Sequence, residues 1–137
     1  MKPKILLIEA DRPLAVNLIE FLKDHNIEVQ WHVDPQLAIT SIDEQRPNIV
    51  IMDMVLAGRS GTEFLYELRS YGDLQELPVI VYSSISDREL GYSDKSLSQL
   101  NVAEFLYKPE SSFSQLLKTL NKFVASSQSA VSLAAVQ

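Results

Sequence analysis

Cysteine is absent from this chain of 137 residues. That excludes a disulfide framework and any thiolate metal centre, and it suits a reducing compartment. Histidine is nearly absent too: His25 and His32 have no third ligand at metal spacing, so loop or surface roles suit them better than a zinc site. Positive charge is short, with 12 Lys and Arg against 18 Asp and Glu and a net charge of -6. A nucleic-acid surface needs clustered cations to neutralise phosphates, so nucleic acid is excluded as a partner. No apolar run approaches the roughly 18 residues of a bilayer span. The opening Met1-Lys2-Pro3-Lys4 leads into a strand without a signal-peptide layout. The expectation is a cytoplasmic protein with no membrane contact. There is no internal repeat. What is present, 46% hydrophobic and 22% charged residues, is ordinary for one globular domain that buries roughly two thirds of its unfolded surface.

The organising stretch is Asn48 to Gly61. Ile49-Val50-Ile51-Met52 runs into Asp53, and a Gly-containing loop precedes a helix. A continuous apolar run reads as a strand buried on both faces of a parallel sheet. Asp53 then stands at the carboxyl end, the edge where open α/β sheets bind ligands. The same form recurs along the chain. Ile5-Leu6-Leu7-Ile8 ends in Glu9-Ala10-Asp11, and Arg12-Pro13 opens a helix with Leu14, Leu18, Phe21 and Leu22 on one face. Ile27 to His32 alternates as an edge strand, with Trp31 as a core side chain. Asp34-Pro35 caps a helix expected to turn Leu37, Ala38 and Ile42 inward. Ser60-x-x-Glu63 has the form of a capping box before Phe64, Leu65 and Leu68, and Gly72 is expected to close that helix. Pro78 to Tyr82 is a fourth strand ending in Ser83-Ser84. Ser86-x-x-Glu89 suggests the start of a fourth helix, short or frayed because Gly91 to Ser96 is poor in helix formers. Ala103 to Tyr107 is a fifth strand ending in Lys108-Pro109. Phe113, Leu116, Leu117, Leu120, Phe123 and Val124 line the last helix.

Five β-α repeats predict an α/β fold, a doubly wound (βα)5 parallel sheet with helices on both faces. The domain is expected over residues 1–125. Residues 126–137, rich in Ser and Ala, read as a tail, a linker or an extension of the last helix. Parallel strands bring their carboxyl ends to one rim, so Glu9, Ala10, Asp11, Asp53, Ser83 and Lys108 share a neighbourhood. Carboxylate, hydroxyl and ammonium together suit phosphate chemistry: a carboxylate can attack phosphorus, while Lys and a hydroxyl hold its oxygens.

These pieces, Lys4 to Leu14, Pro47 to Asp53 with Gly58 and Gly61, Pro78 to Ser83, and Tyr107-Lys108-Pro109, resemble the CheY-like receiver domain of bacterial two-component response regulators. The resemblance implies a flavodoxin-like three-layer sandwich and a phosphorelay signalling role rather than a classical enzyme. It implies that a histidine kinase or phosphotransfer protein phosphorylates Asp53. Ser83 is then the hydroxyl that follows the phosphoryl group, Lys108 its cationic partner and Phe105 the aromatic switch residue. The resemblance further implies Mg²⁺ held by Glu9, Asp53 and the Val55 backbone carbonyl. A cis Lys108-Pro109 bond is expected on the same basis. The output would leave through the face made by the fourth helix, fifth strand and last helix, which could also pair two copies as a homodimer.

Ala10 departs from the pattern, because it stands where the family has an Asp ligand and offers no oxygen. Loss of even a supporting partner weakens metal binding by about 10–100-fold. Asp11 reads mainly as a solvated helix-start acid rather than a replacement ligand. Val55 and Ile85 are apolar at positions where a polar side chain could position water, so slow self-dephosphorylation is expected. Against the phosphorylated receiver stands a pseudo-receiver, a phosphorylation-independent interaction module disabled at Ala10. A phosphatase of the haloacid-dehalogenase type lacks its second Asp, since Val55 occupies that place. A flavin carrier lacks a phosphate-binding loop after the first strand.

Overall fold

Alternation inside each apolar run decides which helix covers it. In the computed structural model, which describes the backbone of residues 2–136 and the side chains of residues 2–124, five runs form the sheet. They are β1 (Lys4–Ile8), β2 (Glu28–His32), β3 (Ile49–Met52), β4 (Val79–Ser83) and β5 (Val102–Tyr107). Their spatial order is β2-β1-β3-β4-β5, every pair parallel. The helices are α1 (Arg12–Asp24), α2 (Pro35–Glu44), α3 (Gly61–Ser70), α4 (Asp94–Gln99) and α5 (Phe113–Val136). This is the three-layer architecture expected from the repeats.

Successive side chains of a strand point to opposite faces. Ile5, Leu7, Ile49, Ile51 and Ile80 therefore meet Ala15, Leu18 and Leu22 of α1 and Leu116, Leu120 and Val124 of α5. Leu6, Ile8, Val50, Met52 and Val81 meet Ala38, Ile39 and Ile42 of α2 and Phe64, Leu65 and Leu68 of α3. Each Leu or Ile taken fully out of water contributes about 1.5–3 kcal/mol. These two cores hold the carboxyl ends of β1, β3 and β4 in fixed register.

Side-chain caps place the helix starts. Asp11 accepts from the Leu14 amide, Asp34 from Gln36 and Ser60 from Glu63. Gly61 is required by close approach: a Cβ there would stand 2.6 Å from the Met54 Cα. A two-residue hairpin, Val55–Leu56 against Arg59–Ser60, joins β3 to α3.

Four expectations need correction. Leu37 is 56% exposed, and Ile39 fills the inward place. Residues 38, 39 and 42 are the ones packed in the core on the sheet side of α2. Helix α3 ends at Ser70 on an extended Tyr71 rather than at Gly72, which begins a 3₁₀ turn. The Glu89 amide does donate to Ser86 Oγ as at an N-cap, and the Ser86 hydroxyl donates to the Glu89 carboxylate, but no helix follows. The Gly91 amide closes on Arg88 with Gly91 at φ +75°, and α4 begins only after the Ser93 cap. Lastly, the Lys108-Pro109 bond is trans, since no described residue has a cis peptide. It lies in a 3₁₀ turn that the Ser111 amide closes onto the Lys108 carbonyl. Residues 126–136 continue the backbone of α5, and their side chains lie outside the described residues.

Candidate functional site

Two buried carboxylates meet one ammonium at the carboxyl rim. Glu9 follows β1 and is 2% exposed; Asp53 follows β3 and is 3% exposed. Ionised groups buried to this degree need partners. Asp53 has four. Its Oδ1 accepts from the backbone amides of Met54 (2.6 Å) and Val55 (3.2 Å). Its Oδ2 accepts from Lys108 Nζ at 2.7 Å and from Ser84 Oγ at 3.3 Å. One oxygen is thus fixed by the rigid backbone, while the other is met by two side chains that can move.

Lys108 Nζ also stands 2.7 Å from Glu9 Oε1. Glu9 Oε2 accepts from the Asp11 amide at 3.1 Å, and Trp31 Nε1 donates to the Glu9 carbonyl at 2.9 Å. Burial alone would push the Lys108 ammonium down. Hydrogen bonds to Asp53 and Glu9, with their charges, outweigh it and raise its pKa above the ordinary value. One ammonium between two carboxylates leaves a formal charge of about −1 in a nearly dry pocket, which favours further positive charge or a polarised donor.

The other expected residues fall around this centre in unequal ways. Ser83, at 0% exposure, ends β4, and its Oγ accepts from the Ile85 amide at 3.0 Å. Its oxygen is thus engaged in a turn as an acceptor, and the hydroxyl makes no hydrogen bond to Asp53, whose side-chain partner at the end of β4 is Ser84. Phe105 on β5 is half-buried and packs against the core under α2 and α3. Val55 is 50% exposed at the mouth of the site, and Ile85 is half-buried. Asp11 is spent on capping α1. Burial raises the Tyr82 hydroxyl pKa; Lys108 opposes that rise and Glu9 adds to it.

The donor set does not make a built divalent-cation site. Among the described residues no three of His, Cys, Asp and Glu stand together as metal ligands. Ala10 is exposed and has no oxygen to give, and Lys108 already bridges the two carboxylates.

Residues beyond the expected set act both at the site and away from it. Ser84 touches Asp53, although the sequence marks it only as half of a Ser-Ser strand end. Arg69 of α3 donates to the carbonyls of Leu74 (2.7 Å), Leu100 (3.0 Å) and Asn101 (2.9 Å). It thereby joins α3 to the end of α4. Thr62 of α3 is hydrogen-bonded to the Tyr92 hydroxyl in the loop before α4. The signal for the arginine was weak, since Arg69 lies in the last turn of an amphipathic helix where a solvated cation is ordinary.

Residues 5–121 match the response regulator receiver domain family. Among solved structures, the chain is similar to the signal receiver domain of a Luxo repressor protein from Vibrio parahaemolyticus, with 21% identity, a TM-score of 0.81, and 97% and 98% of the two chains covered. It is also similar to the chemotaxis protein CheY4 of Vibrio cholerae, with 20% identity, a TM-score of 0.78, and 90% and 99% covered. A response regulator receiver protein from Pseudomonas putida shares 25% identity at a TM-score of 0.78, with 89% and 98% covered. The CheY-like sheet order, the matched span and the acidic rim with its lysine agree, and the chain belongs to the response regulator receiver domain family of two-component signalling.

Proposed function

We propose that residues 1–125 act as a phosphoacceptor receiver in which Asp53 takes a phosphoryl group from a histidine kinase or phosphotransfer protein. The observation that supports this best is the bonding of Asp53: Oδ1 is held by two backbone amides, while Oδ2 faces Lys108 at 2.7 Å. An ionised carboxylate oriented in this way can attack phosphorus in line, with Lys108 moving onto the phosphoryl oxygens as their charge grows. Ser83 would leave its turn to follow the new group, and Phe105 would shift with it. The face formed by α4, β5 and α5 then changes its population between two states and engages an output protein, an output domain or a second copy. Residues 126–137 would be a tail or linker to such an output. The setting is the cytoplasm; no helix among the described residues is long and apolar enough to cross a membrane.

No step is assigned to Mg²⁺, because Ala10 and the Lys108 bridge leave it without a built site. That observation favours a second reading, a pseudo-receiver that binds partners without phosphorylation.

Intact-mass spectrometry after incubation with acetyl phosphate, with and without Mg²⁺, separates the two readings. A phosphoryl adduct on the native chain, absent from Asp53→Asn, supports the phosphoacceptor. An adduct only on Ala10→Asp supports the pseudo-receiver. Apolar Val55 and Ile85 leave attacking water without a positioned partner, so an adduct is expected to persist for minutes or longer. Decay within seconds would contradict that expectation.

A further inference from the structure

We propose that Ser84, rather than Ser83, is the hydroxyl that first receives the phosphoryl group at Asp53; this rests on the phosphoacceptor reading above. The two serines are adjacent and chemically identical, and the fold gives them opposite settings. Ser83 is 0% exposed, and its oxygen already accepts the Ile85 amide at 3.0 Å. Ser84 is exposed at the rim, and its hydroxyl donates to Asp53 Oδ2 at 3.3 Å. That oxygen is the one left free of backbone amides, so it is the nucleophile. Ser84 therefore touches the reacting atom from the side open to an incoming phosphodonor.

In the transfer, Asp53 Oδ2 forms a bond to phosphorus as the donor's own bond to phosphorus breaks, and the leaving atom, a nitrogen for a phosphohistidine donor or an oxygen for an acyl phosphate, keeps the electron pair. With acetyl phosphate the leaving group is acetate. The carboxylate begins ionised and the acyl phosphate carries no added proton, so no general base is needed. The Ser84 hydroxyl and the Lys108 ammonium are the two side-chain donors on Oδ2. As negative charge moves from Oδ2 onto the equatorial phosphoryl oxygens, each donor turns from the first to the second over a short distance. With Ala10 supplying no ligand, the Ser84 hydroxyl adds a donor where positive charge is scarce. Preorganised donors aimed at developing charge speed such a transfer, and a donor at an open rim belongs at the lower end of that effect.

The test measures the rate of adduct formation from acetyl phosphate by intact mass, over a range of phosphodonor concentrations. Native chain, Ser84→Ala, Ser84→Thr and Ser83→Ala are compared, with thermal unfolding as a folding control. Ser84→Ala is expected to slow the maximal rate about tenfold, with Ser84→Thr close to native and the unfolding midpoints unchanged, since Ser84 is exposed. Ser83→Ala, which removes a hydroxyl that follows the phosphoryl group later, is expected to slow the first transfer less than Ser84→Ala does, and equal slowing by the two would overturn the priority of Ser84. An unchanged rate in Ser84→Ala while the native chain is labelled would overturn the role of Ser84 alone. Absence of any adduct on the native chain would overturn both it and the phosphoacceptor reading.

Discussion

Helices α3 and α4 each follow a strand that ends at the site, yet they are held very differently. Helix α3 buries Gly61, Phe64, Leu65 and Leu68, and its arginine reaches three carbonyls outside it. Helix α4 spans Asp94–Gln99 and buries no residue. Beside it, every residue of β5 is only half-buried, whereas all of β3 is buried. Local opening costs least where few apolar contacts would be lost. The carboxylate is thus set in the part of the fold that resists movement, and the segment after Ser83 lies where a small charge change at the rim can shift a population. A signalling domain needs that division, because a binding event can only move an element that is poorly anchored in its resting state.

The sharpest way to break this contrast is to truncate one side chain on each helix. Phe64→Ala is expected to cost about 3–5 kcal/mol of global stability in urea unfolding, the value for an aromatic removed from a close-packed core. Leu97→Ala, from a half-buried position on α4, should cost under about 1 kcal/mol. Equal losses would mean that α4 is as firmly seated as α3.

Lys108→Ala addresses the site itself. It leaves Glu9 and Asp53 buried without their shared cation, and about 3 kcal/mol should be lost near neutral pH. In the native chain the sign follows from the raised pKa of Lys108. Its stabilising contribution is whole below the ordinary lysine value of 10.5 and fades as the pH climbs through the higher folded value. Urea unfolding of both chains across acid and alkaline pH checks this. A native-to-variant difference that grows above pH 10.5 would contradict the ion-pair arrangement.

Gly61→Ala is expected to cost about 1–3 kcal/mol, because the new methyl meets the Met54 Cα at 2.6 Å and the Asp53 carbonyl at 3.1 Å, backbone atoms that cannot turn aside as the Met54 Sδ can. Since that contact lies directly after Asp53, the variant should also slow labelling by acetyl phosphate. The most local effect belongs to Ser93→Ala. Removing the cap from α4 should cost about 1 kcal/mol, seen as faster amide exchange in residues 94–99 and little change in the urea midpoint.

The same division explains what could be read from sequence. Buried strands were legible because Ile49 to Met52 and Ile5 to Ile8 are apolar without interruption, and parallel connectivity then brought Glu9, Asp53 and Lys108 to one rim. Half-anchored segments were not. Ser86 and Glu89 form their capping bonds, yet a helix needs propagation beyond its first turn, and Gly91 stops it. Leu37 was assigned inward because apolar spacing alone, even with the Asp34 cap to mark the helix start, does not fix which face of a short helix meets the sheet. At the site, the sequence shows where β4 ends but not which serine faces the rim. That choice depends on the turn in which the Ile85 amide takes up the Ser83 oxygen.

Peptide-resolved amide exchange on the native chain and Asp53→Asn, each with and without acetyl phosphate, tests the division and its link to Asp53 together. Phosphorylation of the native chain should change exchange in residues 84–107 and leave β1, β3 and α3 as they were, with no change in Asp53→Asn. Identical exchange with and without acetyl phosphate in a chain that carries the adduct, or the same change in both chains, would contradict it.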